Sequence, residues 1–260
     1  CSMLLLLLFN ALSATAEPLI AGFVAPTFTP FNASGMFAAE QVPAMAEFVN
    51  ATGLSWVYLC GSTGESVDLT TSERKAVVEA WLKPDAAPKY NIRVIVHVGS
   101  DSVITARDLA QHAEENGAAA VASMAPTYIR PTTTASLVST MSFVASGAPS
   151  LPFYYYHIPS KTGVMVKAAD FLAEAGKAPA VFPNLAGVKF TDYAIDDFLL
   201  CTTLARPPSK HNPAQKYNML YGMDGAVLGG LAVGADGGVG TSYNWNARVF
   251  IHLKEVVEKN

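Results

Sequence analysis

The chain has 260 residues, of which 51% are hydrophobic and 15% are charged. This composition excludes a disordered or coiled-coil protein, and the length suffices for one large α/β barrel or two small domains. The net charge of -4, without a cluster of basic residues, argues against a nucleic-acid partner. Cys1, Cys60 and Cys201 are odd in number and lack CxxC spacing, which predicts free thiols instead of a disulfide framework or a zinc site.

Residues 1–18 form a segment that resembles a secretory signal. An apolar run from Leu4 to Leu12 precedes Ala14-Thr15-Ala16, a small-residue pattern of the kind that signal peptidase cleaves. No basic residue precedes the run, and it is too short to cross a bilayer, so we expect no membrane partner. A cleaved signal within residues 3–16 and a tail without structural role both stay open.

From residue 19 onward, short β-rich apolar runs alternate with segments of helical spacing. The predicted strands cover 22–27, 56–60, 93–98, 119–124, 153–156, 185–190, 218–221 and 237–240. The predicted helices lie at about 38–52, 71–83, 102–116, 133–146, 166–176, 193–204, 224–233 and 246–259. Such continuous apolar strands suit a parallel sheet buried on both faces, and eight repeats predict that it closes.

The predicted fold class is therefore α/β, as a (β/α)8 TIM barrel in one domain, 19–260. An open doubly wound sheet is the alternative, but no GxGxxG turn follows the first strand, where Ala25-Pro26-Thr27-Phe28 stands. Two helix starts are predicted from N-cap residues: Thr70-Thr71-Ser72-Glu73 before the second helix and Ser100-Asp101 before the third.

Lys189 lies within an apolar strand, where an ammonium group is costly to bury. Burial lowers the pKa of a lysine and leaves a nucleophilic amine at neutral pH, as Schiff-base chemistry requires. The alternative is a structural lysine paired with an acid such as Asp192 or Glu65. Tyr154 and Tyr156 share one face of the fifth strand. If that face is the barrel interior, Tyr156 at the strand end can reach Lys189 and relay a proton, although core packing is the commoner role.

Two loops add further candidates at the carboxyl ends of strands, where barrel enzymes hold their active sites. The stretch Gly61-Ser62-Thr63-Gly64-Glu65 offers hydroxyls and backbone N–H groups to a carboxylate or phosphate, or else caps the next helix. Asp224 is interpreted first as an N-cap and second as an acceptor for substrate hydroxyls. The histidines lack metal-ligand spacing and no GxSxG elbow occurs, so we expect no metal and no serine nucleophile.

Four motifs in combination resemble the pyruvate-dependent class I aldolases of the N-acetylneuraminate lyase and dihydrodipicolinate synthase family, over residues 20–259. These motifs are Gly61-Ser62-Thr63-Gly64-Glu65, Tyr156-His157-Ile158-Pro159, Gly187-Val188-Lys189-Phe190-Thr191-Asp192 and Gly238-Val239-Gly240-Thr241-Ser242-Tyr243-Asn244. The second and third motifs are most similar to the sialic acid lyases of animals within that family.

The resemblance implies a function and a set of roles. Lys189 would form a Schiff base with the keto acid, without any other cofactor, and Tyr156 would shuttle the proton. Ser62 and Thr63 would hold the substrate carboxylate. The sugar portion would contact Thr191, Gly222, Asp224 and Thr241, and Tyr128 would reach across a subunit interface. The implied reaction is cleavage of N-acetylneuraminate, a small sugar acid, to pyruvate and N-acetylmannosamine by a cytoplasmic homotetramer.

Three departures from the family pattern keep other functions open. Gly225 replaces a glutamate that contacts the polyol, and Lys161 stands where dihydrodipicolinate synthases carry an arginine for a second carboxylate. The family's extra C-terminal helices are not present before the last residue, Asn260. The alternatives are an aldolase for another aldehyde, dihydrodipicolinate-synthase-like or specific for a keto-deoxy sugar acid, and a barrel that binds keto acids or sugars without turnover.

Overall fold

The computed structural model describes residues 19–206 and 216–259. The signal-like segment proposed for residues 1–18 lies outside these ranges. Within them, parallel strands form a closed barrel in sequence order, with each strand bonded to its neighbours and the last bonded to the first. The strands are β1 (Gly22–Pro26), β2 (Trp56–Leu59), β3 (Arg93–His97), β4 (Ala120–Ser123), β5 (Phe153–His157), β6 (Leu185–Phe190), β7 (Asn218–Tyr221) and β8 (Gly237–Val239). The predicted TIM barrel is confirmed.

A helix follows each strand and packs outside the barrel. These helices are α1 (Val42–Thr52), α2 (Thr71–Leu82), α3 (Val103–Glu115), α4 (Thr134–Ala145), α5 (Ala168–Lys177), α6 (Ile195–Thr203), α7 (Val227–Ala232) and α8 (Tyr243–Lys259). The helix predicted from about residue 38 begins as a 3-10 turn, Ala39–Gln41, before α1. The last helix starts three residues earlier than predicted and is kinked at Asn246. No helix in the described ranges has the length and apolar character needed to cross a membrane.

The two predicted N-caps have different outcomes. Thr70 caps α2 by accepting a hydrogen bond from the Glu73 N–H, and the Glu73 carboxylate accepts one from the Thr70 N–H, which completes a capping box. The prediction for α3 is wrong, because Ser102 caps this helix by accepting from the Thr105 N–H at 3.2 Å. The Asp101 carboxylate instead accepts from the backbone of the loop after β4, including the Tyr128 N–H at 3.2 Å.

Side chains alternate between two apolar layers along the strands, as the pleat requires. One layer lies between the sheet and the helices. The other, here called the inner cluster, fills the barrel and consists of Ile20, Val24, Trp56, Tyr58, Ile95, Ala120, Ala122, Tyr154, Tyr156, Ile158, Ala186, Leu220 and Val239. Tyr155 belongs to the outer layer. The predicted opposite orientation of Tyr155 and its two tyrosine neighbours is confirmed, with Tyr154 and Tyr156 inside.

A polar network closes the amino-terminal end of the barrel. The Asn218 amide accepts hydrogen bonds from the Tyr154 hydroxyl at 2.7 Å and the Ile20 N–H at 3.1 Å, and it donates to Asp236 at 2.9 Å. Asp236 also accepts from the Lys216 ammonium at 2.8 Å. Because these buried polar groups are paired, they close this end without the cost of unsatisfied donors. The carboxyl ends of the strands therefore remain as the place for chemistry.

Candidate active site

Lys189 lies on β6 with its side chain inside the barrel, where it is only 4% exposed. It is in register with Tyr156 on β5 and with Leu220 on β7. Burial lowers the pKa of the Lys189 amine, and the neighbouring Tyr156 partly opposes this effect. The structural alternative of an ion pair is not found, since no carboxylate in the described part of the chain lies within 4.0 Å of the amine.

The ring of Tyr156 contacts this amine. The Lys189 Nζ atom lies 3.7 Å from the centre of the Tyr156 ring, and the Tyr156 hydroxyl lies 3.4 Å from Ser62 Oγ. Burial raises the pKa of the Tyr156 hydroxyl, but the Lys189 charge, the hydrogen bond with Ser62 and the nearby polar groups of Lys189 and Thr191 lower it below its ordinary value. A phenol in this state can exchange a proton with a reacting group near Lys189.

The loop after β2 brings hydroxyl groups to the same end of the barrel. Ser62 faces Tyr156, and Thr63 Oγ1 is hydrogen-bonded to Thr241 Oγ1 at 2.7 Å, which ties this loop to the one after β8. Gly64 allows the close packing, because a Cβ atom on it would lie 3.0 Å from the Thr27 carbonyl oxygen. Through its contact with Tyr156, the Ser62 hydroxyl therefore lies at the same end of the barrel as Lys189.

Thr191 and Gly222 meet where β6 and β7 end. The Gly222 N–H donates to the Phe190 carbonyl at 2.6 Å, and a Cβ atom on Gly222 would lie 1.9 Å from Thr191 Oγ1. Only glycine therefore fits beside this threonine without displacing it. The Thr191 hydroxyl is buried without a hydrogen-bond partner among the described residues, and it lowers the pKa of Tyr156, so the predicted sugar-contact residues adjoin the predicted proton carrier.

Asp224 does not act as the N-cap that the sequence favoured. It is the first residue of a 3-10 turn, Asp224–Ala226, and α7 has no side-chain cap. Its carboxylate reaches across to the loop after β8 and accepts from the Ser242 N–H at 2.9 Å. Burial raises the pKa of Asp224, but hydrogen bonds from Ser242 and Gly225 lower it overall. The carboxylate is therefore an anion that links the loops after β7 and β8.

Tyr128 lies apart from the residues around Lys189. Its side chain is 87% exposed, and its loop is held by the bonds to Asp101 described above. The neighbouring Arg130 side chain lies against Gly163, where a Cβ atom would be 2.6 Å from the guanidinium. Tyr128, Ile129 and Met165 are exposed apolar residues on these two adjoining loops. We call these three residues the rim patch.

Two residues near Lys189 were not selected from the sequence, Tyr58 on β2 and His97 on β3. Tyr58 places its ring centre 4.2 Å from the Lys189 amine, and the His97 ring is perpendicular to Tyr156 at 5.7 Å. The Met124 N–H donates to His97 Nε2, so Nδ1 carries the hydrogen and donates to the Cys60 carbonyl at 2.8 Å. Burial and the Arg74 charge lower the pKa of His97 to about 3, so the ring is neutral at pH 7.

The signal for these residues was the two-residue alternation along β2 and β3. Tyr58 stands two positions after Trp56, and both belong to the inner cluster with Ile95. His97 stands two positions after Ile95, on the same face. Among residues 19–206 and 216–259, no group of three histidine, cysteine or acidic side chains is arranged to hold a metal ion.

Comparison with known proteins identifies relatives along nearly the whole described chain. Residues 19–259 match the model of the dihydrodipicolinate synthetase family. N-acetylneuraminate lyase A of Xenopus laevis is 37% identical over 233 residues, which cover 89% of this chain and 72% of that protein. N-acetylneuraminate lyase of Homo sapiens is 35% identical over 239 residues, which cover 92% and 71%.

Solved structures give the same result for the fold. The Proteus mirabilis N-acetylneuraminate lyase superimposes with a TM-score of 0.82 at 32% identity, over 92% of this chain and 76% of that one. The sialic acid aldolase of Aliivibrio salmonicida also gives a TM-score of 0.82, at 30% identity, over 92% and 75%. With its family match, its barrel and its strand-borne Lys189, this chain belongs to the dihydrodipicolinate synthetase family.

Proposed function

We propose that this protein is a Schiff-base aldolase that cleaves N-acetylneuraminate to pyruvate and N-acetylmannosamine. The observation that carries the proposal is the Lys189 amine, which is buried 3.7 Å from the Tyr156 ring centre with no carboxylate partner in the described ranges. The names of the relatives support the substrate, because several are N-acetylneuraminate lyases at 33–37% identity.

The first step is imine formation at Lys189. Because burial lowers the pKa of this amine, a larger fraction is unprotonated at neutral pH than in an exposed lysine. The free amine attacks C2 of the open-chain keto acid, and the Tyr156 hydroxyl gives its proton to the departing hydroxide. Loss of water therefore leaves a protonated imine on Lys189 and a phenolate at Tyr156, which can accept the next proton. Ser62 and Thr63 hold the adjoining carboxylate through hydroxyl and N–H groups, which places C2 within reach of the nitrogen.

Carbon–carbon cleavage follows on this imine. The C4 hydroxyl gives its proton to the Tyr156 oxygen, assisted by the substrate carboxylate, while the C3–C4 bond breaks and its electron pair flows into the iminium to form an enamine. N-acetylmannosamine leaves as the aldehyde. Protonation of the enamine at C3 and hydrolysis then release pyruvate and restore the amine. The lysine imine is the electron sink, so the reaction requires no further cofactor.

The sugar portion of the substrate would lie above this centre, between the loops after β6, β7 and β8. Thr191, Gly222, Asp224 and Thr241 border that space. Among the described residues, no heavy atom other than those of its chain neighbours lies within 4 Å of a Cβ atom built on Gly225. The rim is therefore open where the family's glutamate would stand, and a panel of aldehydes, including aspartate semialdehyde, is the direct assay of substrate choice.

We propose further that residues 19–260 form one catalytic domain that assembles as a homotetramer. The rim patch supports this assembly, because exposed apolar surfaces of this kind commonly become subunit contacts. A cytoplasmic location is supported by Cys60 and Cys201, which are buried free thiols, as expected where disulfides do not form. Cell fractionation of the tagged full-length protein tests that location against secretion.

The proposed function is tested by trapping the imine. The purified protein is incubated with pyruvate and borohydride, and the adduct is located by peptide mass spectrometry. We expect one adduct per chain on Lys189, and no adduct and no N-acetylneuraminate cleavage in Lys189→Ala. Lys177→Ala, which removes an exposed lysine at the end of α5, is expected to leave the result unchanged. A folded wild-type protein that gives no adduct would instead support the barrel that binds without turnover.

A further inference from the structure

The Lys189 amine is enclosed by two aromatic ring faces. Its nitrogen lies 4.2 Å from the Tyr58 ring centre and 3.7 Å from the Tyr156 ring centre. The two rings are nearly perpendicular, with their centres 6.0 Å apart. Since no carboxylate of the described residues pairs with this amine, the ring faces and the Tyr156 hydroxyl provide the negative potential at the nitrogen. Tyr156 has a chemical role in the proposed mechanism, but Tyr58 has none.

The ring of Tyr58 is fixed in place by its surroundings. Tyr58 is in register with Ile95 on β3, and the His97 ring stacks on it with centres 6.0 Å apart. On another side, a Cβ atom on Gly61 would lie 2.8 Å from the Tyr58 ring, so the backbone packs directly against it. A ring held between a histidine and the backbone cannot turn away from the lysine without displacing one of them.

The hydroxyl of Tyr58 contributes little to this contact. It is buried and has no hydrogen-bond partner among the described residues. Burial raises its pKa well above the ordinary value, so it remains a neutral phenol and exchanges no proton near pH 7. The part of Tyr58 that acts on the amine is therefore the face of its ring.

We propose that Tyr58 is a positioning residue for Lys189, whose ring face stabilises the cationic nitrogen of both the ammonium and the iminium and aims it at the keto carbon. This inference rests on the proposed Schiff-base function. Ammonium and iminium carry the same charge at one nitrogen, whereas the free amine and the enamine are neutral. The ring therefore favours the two cations over the two neutral species by a similar amount.

This reasoning predicts a characteristic pH dependence for Tyr58→Leu. Loss of the ring face lowers the pKa of Lys189, so the acid limb of imine formation moves to lower pH, by about 0.3 to 1.5 units. Above that limb, the pyruvate concentration for half-maximal trapping by cyanoborohydride rises about 2- to 30-fold, the range given by one cation–π contact. At pH values below the limb, the difference between Tyr58→Leu and wild type in this pyruvate concentration becomes small. There the lysine starts as an ammonium, which has lost the same ring contact as the iminium.

Two further variants separate the ring from the hydroxyl and from packing. Tyr58→Phe keeps the ring face and is expected to retain the wild-type trapping curve and pH limb. Incorporation of 3,4,5-trifluorophenylalanine at position 58 keeps the shape but weakens the negative potential of the ring, so it is expected to resemble Tyr58→Leu. This variant keeps the test decisive if Tyr58→Leu does not fold.

Tyr155→Leu is the matched control, because Tyr155 is also buried with an unpartnered hydroxyl but faces the helices.

The outcomes of this experiment separate the two proposals. If wild-type protein is not trapped on Lys189, the proposed function itself fails. If wild type is trapped but the fluorinated variant keeps the wild-type pH limb and pyruvate dependence, the role of the Tyr58 ring is overturned. A loss in Tyr58→Phe as large as in Tyr58→Leu would also overturn it, because the hydroxyl would then be the acting group. A shift in Tyr155→Leu would assign the effect to general packing.

Discussion

Individual buried residues determine the electrostatics at the carboxyl end of this barrel. Lys189 is a buried lysine that lacks a carboxylate counter-ion in the described ranges, and a carboxylate there would hold the amine protonated. Aromatic ring faces stabilise the ammonium form less than a carboxylate would, so a fraction of the amine stays unprotonated. His97 contributes by remaining neutral, since burial and the nearby Arg74 charge disfavour its protonation. The burial that lowers the pKa of Lys189 also keeps His97 neutral, and it therefore makes the folded protein sensitive to acid.

That sensitivity predicts a pH dependence of stability. The pKa of His97 falls to about 3 on folding, and burial also lowers the pKa of His157. Between pH 6.5 and about 4 the unfolded chain binds protons that the folded chain does not, so the free energy of unfolding decreases as the pH falls. Each such histidine contributes up to about 1.4 kcal/mol per pH unit.

Between pH 6 and 5, we expect unfolding of His97→Gln to take up about one proton fewer than unfolding of the wild type. The free energy of unfolding of this variant therefore depends less steeply on pH. The measurement is urea unfolding at a series of pH values, with His252→Gln as the control, because His252 is an exposed histidine on α8. If the slope of His97→Gln equals that of wild type, the assignment of the acid sensitivity to His97 is wrong.

At the scale of elements, the N-terminus of α5 is capped by a side chain from the neighbouring helix α6 instead of by its own N-cap residue. Lys167 at the N-cap position of α5 makes no side-chain capping bond. The buried Asp197 of α6 replaces it by accepting from the Ala168 N–H at 2.8 Å and the Ala169 N–H at 3.1 Å. Its negative charge also suits the positive end of the α5 dipole. This carboxylate therefore couples two adjacent helices of the outer layer.

Removal of this carboxylate is expected to destabilise the protein. Asp197→Ala leaves two buried N–H groups of α5 without their acceptor, at a cost of about 1–3 kcal/mol for each buried group left unpaired. Asp196→Ala is the matched control, since its neighbouring side chain is exposed. Thermal unfolding of both variants gives the result, and equal melting temperatures would show that Asp197 does not support α5.

At the scale of the whole molecule, closure of the barrel requires backbones to approach where side chains would interfere. A Cβ atom on Gly187 would lie 1.8 Å from the Asn218 carbonyl oxygen, and one on Gly237 would lie 1.7 Å from the Gly22 carbonyl oxygen. Glycine at these two contacts lets β6 meet β7 and β8 meet β1. The closed barrel then presents its loops at one end, and the rim patch lies on two of them.

The proposed assembly predicts that the rim patch affects oligomeric state. Tyr128→Ala combined with Ile129→Ser is expected to shift the protein from tetramer toward smaller species, measured by sedimentation velocity at several concentrations. Val181→Ser is the control, because it removes an exposed apolar residue outside the patch. If the double variant and the control sediment as wild type does, the rim patch is not a subunit contact.

Strand and helix positions, the closed barrel and the candidate nucleophile were determined by the sequence alone. Apolar periodicity is a local property, so the β6 run that surrounds Lys189 could be located without knowledge of its neighbours. The shared face of Tyr154 and Tyr156, opposite to Tyr155, followed from the alternation of three consecutive tyrosines, but the structure decided that this face is the barrel interior. The loop of glycines and hydroxyl residues at 61–65 could also be found from the sequence, because its residues are consecutive in the chain.

Only the tertiary structure decided which distant residues meet at the nitrogen of Lys189. Tyr58, His97 and Tyr156 lie on three other strands, and their contact depends on the register and stagger of the closed barrel, which no local pattern encodes. The same reason explains the errors at Asp101 and Asp224. Each acid stands at a position where a helix N-cap is plausible. In the fold, however, its carboxylate accepts a hydrogen bond from a backbone N–H of another loop. Local sequence determined the elements, and long-range packing determined the partners.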